Sequence, residues 1–140
     1  MSASLALNHV ITRLRIKRIQ CPIVYQCALL VSYLKSKGID ATVKKGFIEF
    51  AGNCCPHVWV ETTDGQQLDI GTAYGMKFAP ELSKFGIKLV EEPSENSKRM
   101  DTENEHKKMT QETEFQYDLY TSDTKQFWKD RPLSIRNLKL

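Results

Sequence analysis

The sequence predicts an α+β fold with N-terminal helices packed on an antiparallel sheet, and three observations predict it. Apolar residues recur at three- and four-residue intervals as far as Gly38. Beyond Gly38 the interval drops to two and β-favouring residues dominate. Gly52-Asn53 and Asp64-Gly65 then supply turn signals between successive strands, so the order is helix, helix, antiparallel meander rather than alternating β-α-β.

Each element follows from local chemistry. Leu7, Val10, Ile11 and Leu14 fall on one face of a first amphipathic helix. Residues 22–37 form the strongest helical pattern, with Ile23, Cys27, Leu30, Val31 and Leu34 on a broad apolar stripe. Pro22 suits the first helical position, where its missing N–H costs nothing. Gly38 after Lys35-Ser36-Lys37 reads as the C-terminal stop. Strands are expected at 41–50, 56–62, 66–71 and 86–91. Together these make a core over residues 1–91.

Composition changes at Glu91. Of the 24 residues from Glu91 to Glu114, 12 are Asp, Glu, Lys or Arg, which leaves little to bury. Residues 92–114 therefore read as a charged, flexible connection. Residues 115–140 regain Phe115, Tyr117, Leu119, Tyr120, Phe127 and Trp128, and read as a tail that docks back on the core with a short helix near Ser122–Lys129.

The chain of 140 residues carries 20 Lys plus Arg against 17 Asp plus Glu and is 41% hydrophobic, ordinary proportions for one soluble domain. No apolar run is long enough to cross a bilayer, so no membrane association is expected. Leu5–Leu7 gives way at once to Asn8, His9 and arginines, unlike a secretory signal. A cytoplasmic location follows as the expectation, with the four cysteines as thiols. The absence of acid before Asp40 gives the opening a presequence-like bias, but the amphipathic helix explains it better. Residues 1–90 carry 11 basic and 6 acidic side chains, and residues 91–140 carry 9 and 11. The basic clusters are short and lack interleaved aromatics, which argues against a nucleic-acid partner.

Three residues carry the candidate chemistry, in chain order: Cys21 before a helix, His57 in His57-Val58-Trp59-Val60-Glu61, and Asp69 in Leu68-Asp69-Ile70. A cysteine thiol is mostly protonated at neutral pH, and a helix N-terminus and an imidazolium both favour its thiolate. A histidine can take that proton and return it to a leaving group, and a carboxylate can orient the ring. Geometry imposes a condition. A two-residue Asp64-Gly65 turn puts His57 and Asp69 on opposite faces of the sheet, whereas a three-residue loop with a left-handed Gly65 pairs Thr62 with Gln66 and Trp59 with Asp69, one face for all. The triad thus requires the odd-length loop. Cys27 falls on the apolar stripe and reads as core, and Trp59 as packing. Cys54-Cys55-Pro56-His57 lacks the paired spacing of a zinc site, so no metal is expected. No phosphate-cradling loop appears either, and no cofactor is expected.

Cys21 before an apolar helix, Leu34-Lys35-Ser36-Lys37-Gly38-Ile39-Asp40-Ala41, Gly46, His57-Val58-Trp59-Val60-Glu61 and Leu68-Asp69-Ile70-Gly71 resemble the transglutaminase-like superfamily of papain-type cysteine enzymes. The resemblance spans about residues 18–72. It implies a papain-like core in which Cys21 is the nucleophile, His57 the general base and acid, and Asp69 the orienter. It also implies an amide or peptide bond in a protein or peptide substrate, cleaved or transamidated through a thioester. The alternative from another class is a catalytically inactive binding or assembly module on the same fold, to which the Cys21-Pro22 start and the charged 91–114 stretch with its aromatic tail lend support.

Overall fold

A computed structural model describes residues 1–71, 82–100 and 104–140 of the chain, with the side chains of 82–83 and 104–110 left aside. Helix α1 runs Ala3–Ile16. Ser2 caps it by accepting from the Leu5 N–H, and Ala6, Leu7, Val10, Ile11 and Leu14 are all buried. Helix α2 runs Ile23–Ser36, with Pro22 at the cap position, one residue earlier than the sequence suggests. Its C-terminus closes as expected. Gly38 sits at φ +77, and the N–H groups of Gly38 and Ile39 bond back to the carbonyls of Lys35 and Leu34.

The apolar stripe expected on α2 is in fact a nearly complete girdle, since Val24, Tyr25, Cys27, Ala28, Leu29, Leu30, Val31, Tyr33 and Leu34 are all buried. A helix apolar all round is one packed on all sides. Here the neighbours are α1, the sheet and the C-terminal helices.

Strands β1 (Ala41–Phe50) and β2 (Asn53–Thr62) form a ten-residue antiparallel hairpin. The connecting turn is Ala51-Gly52, both with positive φ (51° and 79°), so it lies one residue earlier than Gly52-Asn53. Strand β3 (Gln67–Leu68) pairs with β2, and β4 (Lys88–Val90) pairs with β1, giving the order β3-β2-β1-β4. The strand expected over 66–71 stops at Leu68, and residues 70–71 already turn helical.

Val43, Val58, Val60 and Leu68 belong to the main core with α1 and α2. By register His57 and Trp59 share the other face. On that face Gln67 of β3 donates to the Leu89 carbonyl of β4 at 3.0 Å, although two strands lie between. The sheet must curl for this, and Trp59, 1% exposed, lies inside the curl. Its ring closes on Gly46. A methyl there would sit 2.8 Å from a Trp59 ring carbon and well inside van der Waals contact distance of the Val90 carbonyl oxygen.

The 92–114 stretch departs from the sequence reading. Strand β5 (Lys98–Arg99) pairs in parallel with Asn53–Cys54, and helix α3 (Asn104–Ser122) begins inside the supposed connection. Glu, Lys and Gln are strong helix formers whether or not they are buried, and a charge count does not register that. The segment ahead of β5 is tethered through Glu49, whose carboxylate accepts from the Ser94 N–H and from the hydroxyls of Ser94 and Ser97. These bonds hold it below the usual carboxylate range.

Helix α4 (Thr124–Lys129) follows Asp123, which caps it by accepting from the Gln126 N–H. Phe127 is fully buried and stacks on Tyr25 with ring centroids 4.0 Å apart. The Tyr25 hydroxyl donates to the Phe127 carbonyl at 2.7 Å. Tyr120 meets the Phe127 ring edge-on. The C-terminal residues are thus part of the packing around α2.

Candidate active site

The site starts from a loop of three residues. The Thr62 N–H donates to the Gln66 carbonyl at 2.9 Å, the Gly65 N–H donates to the Thr62 carbonyl at 3.0 Å, and Gly65 is left-handed at φ +89. Val60 faces Leu68 and Glu61 faces Gln67, which continues to Thr62 with Gln66 and Trp59 with Asp69. This is the odd-length loop that the His57–Asp69 pairing requires. The Thr62 hydroxyl also bonds the Asp64 carboxylate, which stabilises the loop conformation.

The loop brings two sequence-predicted residues together. His57 Nε2 lies 2.9 Å from each oxygen of the Asp69 carboxylate. The Asp69 side chain is 1% exposed and the His57 ring 18%. Burial on this scale would strand a charge, and a ring N–H shared between the two carboxylate oxygens helps to make it tolerable. With Nε2 held by Asp69, Nδ1 is the nitrogen available to a reacting group.

Cys21 sits half-buried just before α2, packed against the core. Two observations bring the strand pair to the start of the helix that Cys21 precedes. Beyond Asp69 the chain packs Gly71 on Ile23 in the first turn of α2, so closely that a methyl at Gly71 would lie 2.8 Å from Ile23 Cδ1 and 3.6 Å from Asp69 Oδ1. The buried Cys27 thiol, one and a half turns along, feels both the Asp69 carboxylate and Cys21, and each adds to the rise that burial imposes on it. The Asp69 carboxylate and the start of α2 are therefore neighbours. Among the described residues, however, no hydrogen bond joins the Cys21 thiol to the His57 ring.

Electrostatics differ from the sequence expectation at this thiol. Helix start and imidazole suggested a favoured thiolate, yet burial pushes Cys21 from 9.0 up to about 11. At rest it is a neutral thiol. Around it, Gln26 donates to the Cys21 carbonyl at 2.8 Å, and no side chain caps the first-turn N–H groups of α2. Helix-start N–H groups of this kind have no partner within their own helix.

Gln26 and Tyr120 are neighbours that sequence reasoning missed. Gln26 lies five residues after Cys21 and looks like an ordinary helical glutamine. Burial first and the Cys27 thiol second disfavour ionisation of Tyr120, a relation across more than ninety residues that no local pattern reports. Cys54 is buried and Cys55 half-buried, with burial raising the Cys55 thiol. Among the described residues no group of three or more His, Cys, Asp and Glu is placed to hold a metal ion, and no helix is long and apolar enough to cross a membrane. Comparison with family models, with curated proteins and with solved structures finds no match to this chain.

Proposed function

We propose that the chain is a cysteine-dependent acyl-transfer enzyme with a papain-related, transglutaminase-like core, acting on an amide or peptide bond of a protein or peptide substrate. The observation that carries this reading is the buried Asp69 carboxylate with both oxygens on His57 Nε2, close to a helix start preceded by a cysteine. A structural histidine has no need of a fully buried counter-charge, whereas a ring that must accept a proton during a reaction does.

The chemistry runs from a neutral thiol. As Cys21 Sγ attacks the carbonyl carbon, its proton passes to His57 Nδ1, and Asp69 stabilises the imidazolium. The carbonyl π electrons move to oxygen, and N–H groups at the start of α2 donate to that oxyanion. Collapse breaks the C–N bond, the leaving amine takes the proton from His57, and a thioester remains. Water, or a second amine, then attacks the thioester with His57 as base, which releases the acyl group and restores the thiol.

The test uses para-nitrophenyl acetate, an activated ester that needs no substrate pocket. The expected result is an acetyl thioester on Cys21, formed quickly in the parent and lost in Cys21→Ala and His57→Ala. Acetylation of Cys21 at an unchanged rate in His57→Ala refutes the assignment.

A second reading, a binding module without turnover, is favoured by one observation: the raised Cys21 thiol makes no hydrogen bond to His57. The same experiment decides, since an inert module leaves Cys21 unacylated.

A further inference from the structure

Two stretches of the sequence contain no acidic residue at all: 1–39, with six Lys and Arg, and 131–140, with three. The fold brings them together. Arg13 Nη2 donates to the Lys139 carbonyl at 3.1 Å, and the Ser134 hydroxyl donates to the Gln20 carbonyl at 3.3 Å. Between them lies a groove of about 470 Å³, within the range of roughly 300–1,000 Å³ that accommodates small ligands. Arg13, Lys17 and Lys139 supply its cations and Ser134 and Asn137 its neutral polar groups, over an apolar floor that includes Ile19 and Leu138. None of the residues lining it is acidic.

Ordinary stabilisation of the α1 C-terminus does not account for this arrangement. Cations there can complement the helix dipole. Yet the last-turn carbonyls are already taken: Lys17 bonds Arg13, Arg18 bonds Arg15, and Ile19 bonds Leu14. Arg18 even occupies the left-handed position at φ +51, where a glycine is the unstrained choice. Most telling is Arg13, whose Nε is buried with no hydrogen-bond partner. A withdrawn guanidinium N–H without an acceptor is an exception in folded proteins, and an oxyanion is the acceptor that a guanidinium fits best.

We infer that this groove is an anion-binding site for a ligand that carries a phosphate or carboxylate beside a small apolar group. The oxyanion accepts from Arg13 and Lys17 while the apolar part lies on Ile19 and Leu138. Because Gln20 at its rim immediately precedes Cys21, an acidic side chain of an acyl substrate is one source of such a group and a phosphomonoester the other. Binding itself does not depend on the acyl-transfer reading.

The experiment titrates the full-length protein at low ionic strength with phenyl phosphate, phenylpropionate and neutral phenol, following amide chemical shifts. The expected result is saturable binding of the anions at millimolar concentration or below, with shifts centred on Arg13, Ser134 and Asn137, and no saturation by phenol. The stronger of the two anions identifies the source. Arg13→Gln should weaken binding at least tenfold. Lys17→Gln, at an exposed position, should weaken it severalfold with the spectrum of the fold unchanged. Raised salt should also weaken it. Equal binding of phenol, no binding of either anion, or undiminished binding in both variants overturns the proposal. All of these are read without turnover, so the failure of the triad and the failure of the groove are separate results.

Discussion

The candidate site has a strand side and a helix side, and they are built to different standards. On the strand side, His57 and Asp69 are fixed by a ladder of backbone hydrogen bonds, a left-handed glycine and a bifurcated contact. On the helix side, Cys21 sits ahead of an uncapped helix start, half-buried, raised to about 11 and with no hydrogen bond to the histidine. In the proposed reaction the proton acceptor is therefore preorganised and the proton donor is not activated at rest. Thiolate formation in such a site belongs to the encounter with a substrate, when a carbonyl and the α2 N–H groups share the developing charge.

The largest expected effect comes from breaking the strand side. Asp69→Asn keeps the shape but removes the counter-charge and the preference for a proton on Nε2, so turnover of an activated ester should fall on the order of 10³–10⁴-fold. The thermal midpoint reports whether the fold survives. Turnover within tenfold of the parent shows that the pair is structural, and the preorganised half of the comparison then loses its meaning.

The helix side is tested by alkylation. With its value raised from 9.0 to about 11, the thiolate fraction of Cys21 at pH 8 is about a hundredfold below that of an ordinary cysteine. Iodoacetamide should label it correspondingly slowly, with a rate that climbs through the alkaline range. The sign follows from burial, which penalises the charged form and so shifts reactivity to higher pH. A labelling midpoint below pH 8 contradicts this and means that the imidazole activates the resting thiol.

How far this division was legible in the sequence depends on the range of the interaction concerned. Strand β1 is readable from alternation alone, and Leu7, Val10, Ile11 and Leu14 from helical spacing, because both are one-face burial patterns. The pairing of His57 with Asp69 is readable as a condition on loop length, since side-chain period fixes the face. The state of Cys21 is not readable, because its burial depends on what packs over the start of α2. Nor is the burial of α2 on all sides: Phe127 and Tyr120 cover it from more than eighty residues away. Glu49 with Ser94 and Ser97 is invisible for the same reason.

Gly46 sharpens the strand side from behind. It faces His57 across the hairpin, and the methyl of Gly46→Ala collides with the Val90 carbonyl oxygen and the Trp59 ring, neither of which can yield without moving the curled sheet. A cost of about 3 kcal/mol in urea unfolding is expected. A loss of activity that accompanies it with Cys21 labelling unchanged places the damage on the strand side alone.

The smallest effect isolates the loop. Gly65 stands at φ +89, and a methyl there meets nothing within 4 Å, so Gly65→Ala imposes backbone strain without a steric clash. The expected cost is about 1 kcal/mol, the usual penalty for an L-residue in the left-handed region. It should lower the urea midpoint with the denaturant slope unchanged. If the three-residue loop is what holds Asp69 against His57, strain at Gly65 loosens that loop, and a one-residue slip of register places the two residues on opposite faces. Turnover should then fall by more than the small loss of folded protein accounts for. A fall in stability with turnover per folded molecule intact shows instead that the ladder from Val60 to Leu68 holds the register without help from the glycine.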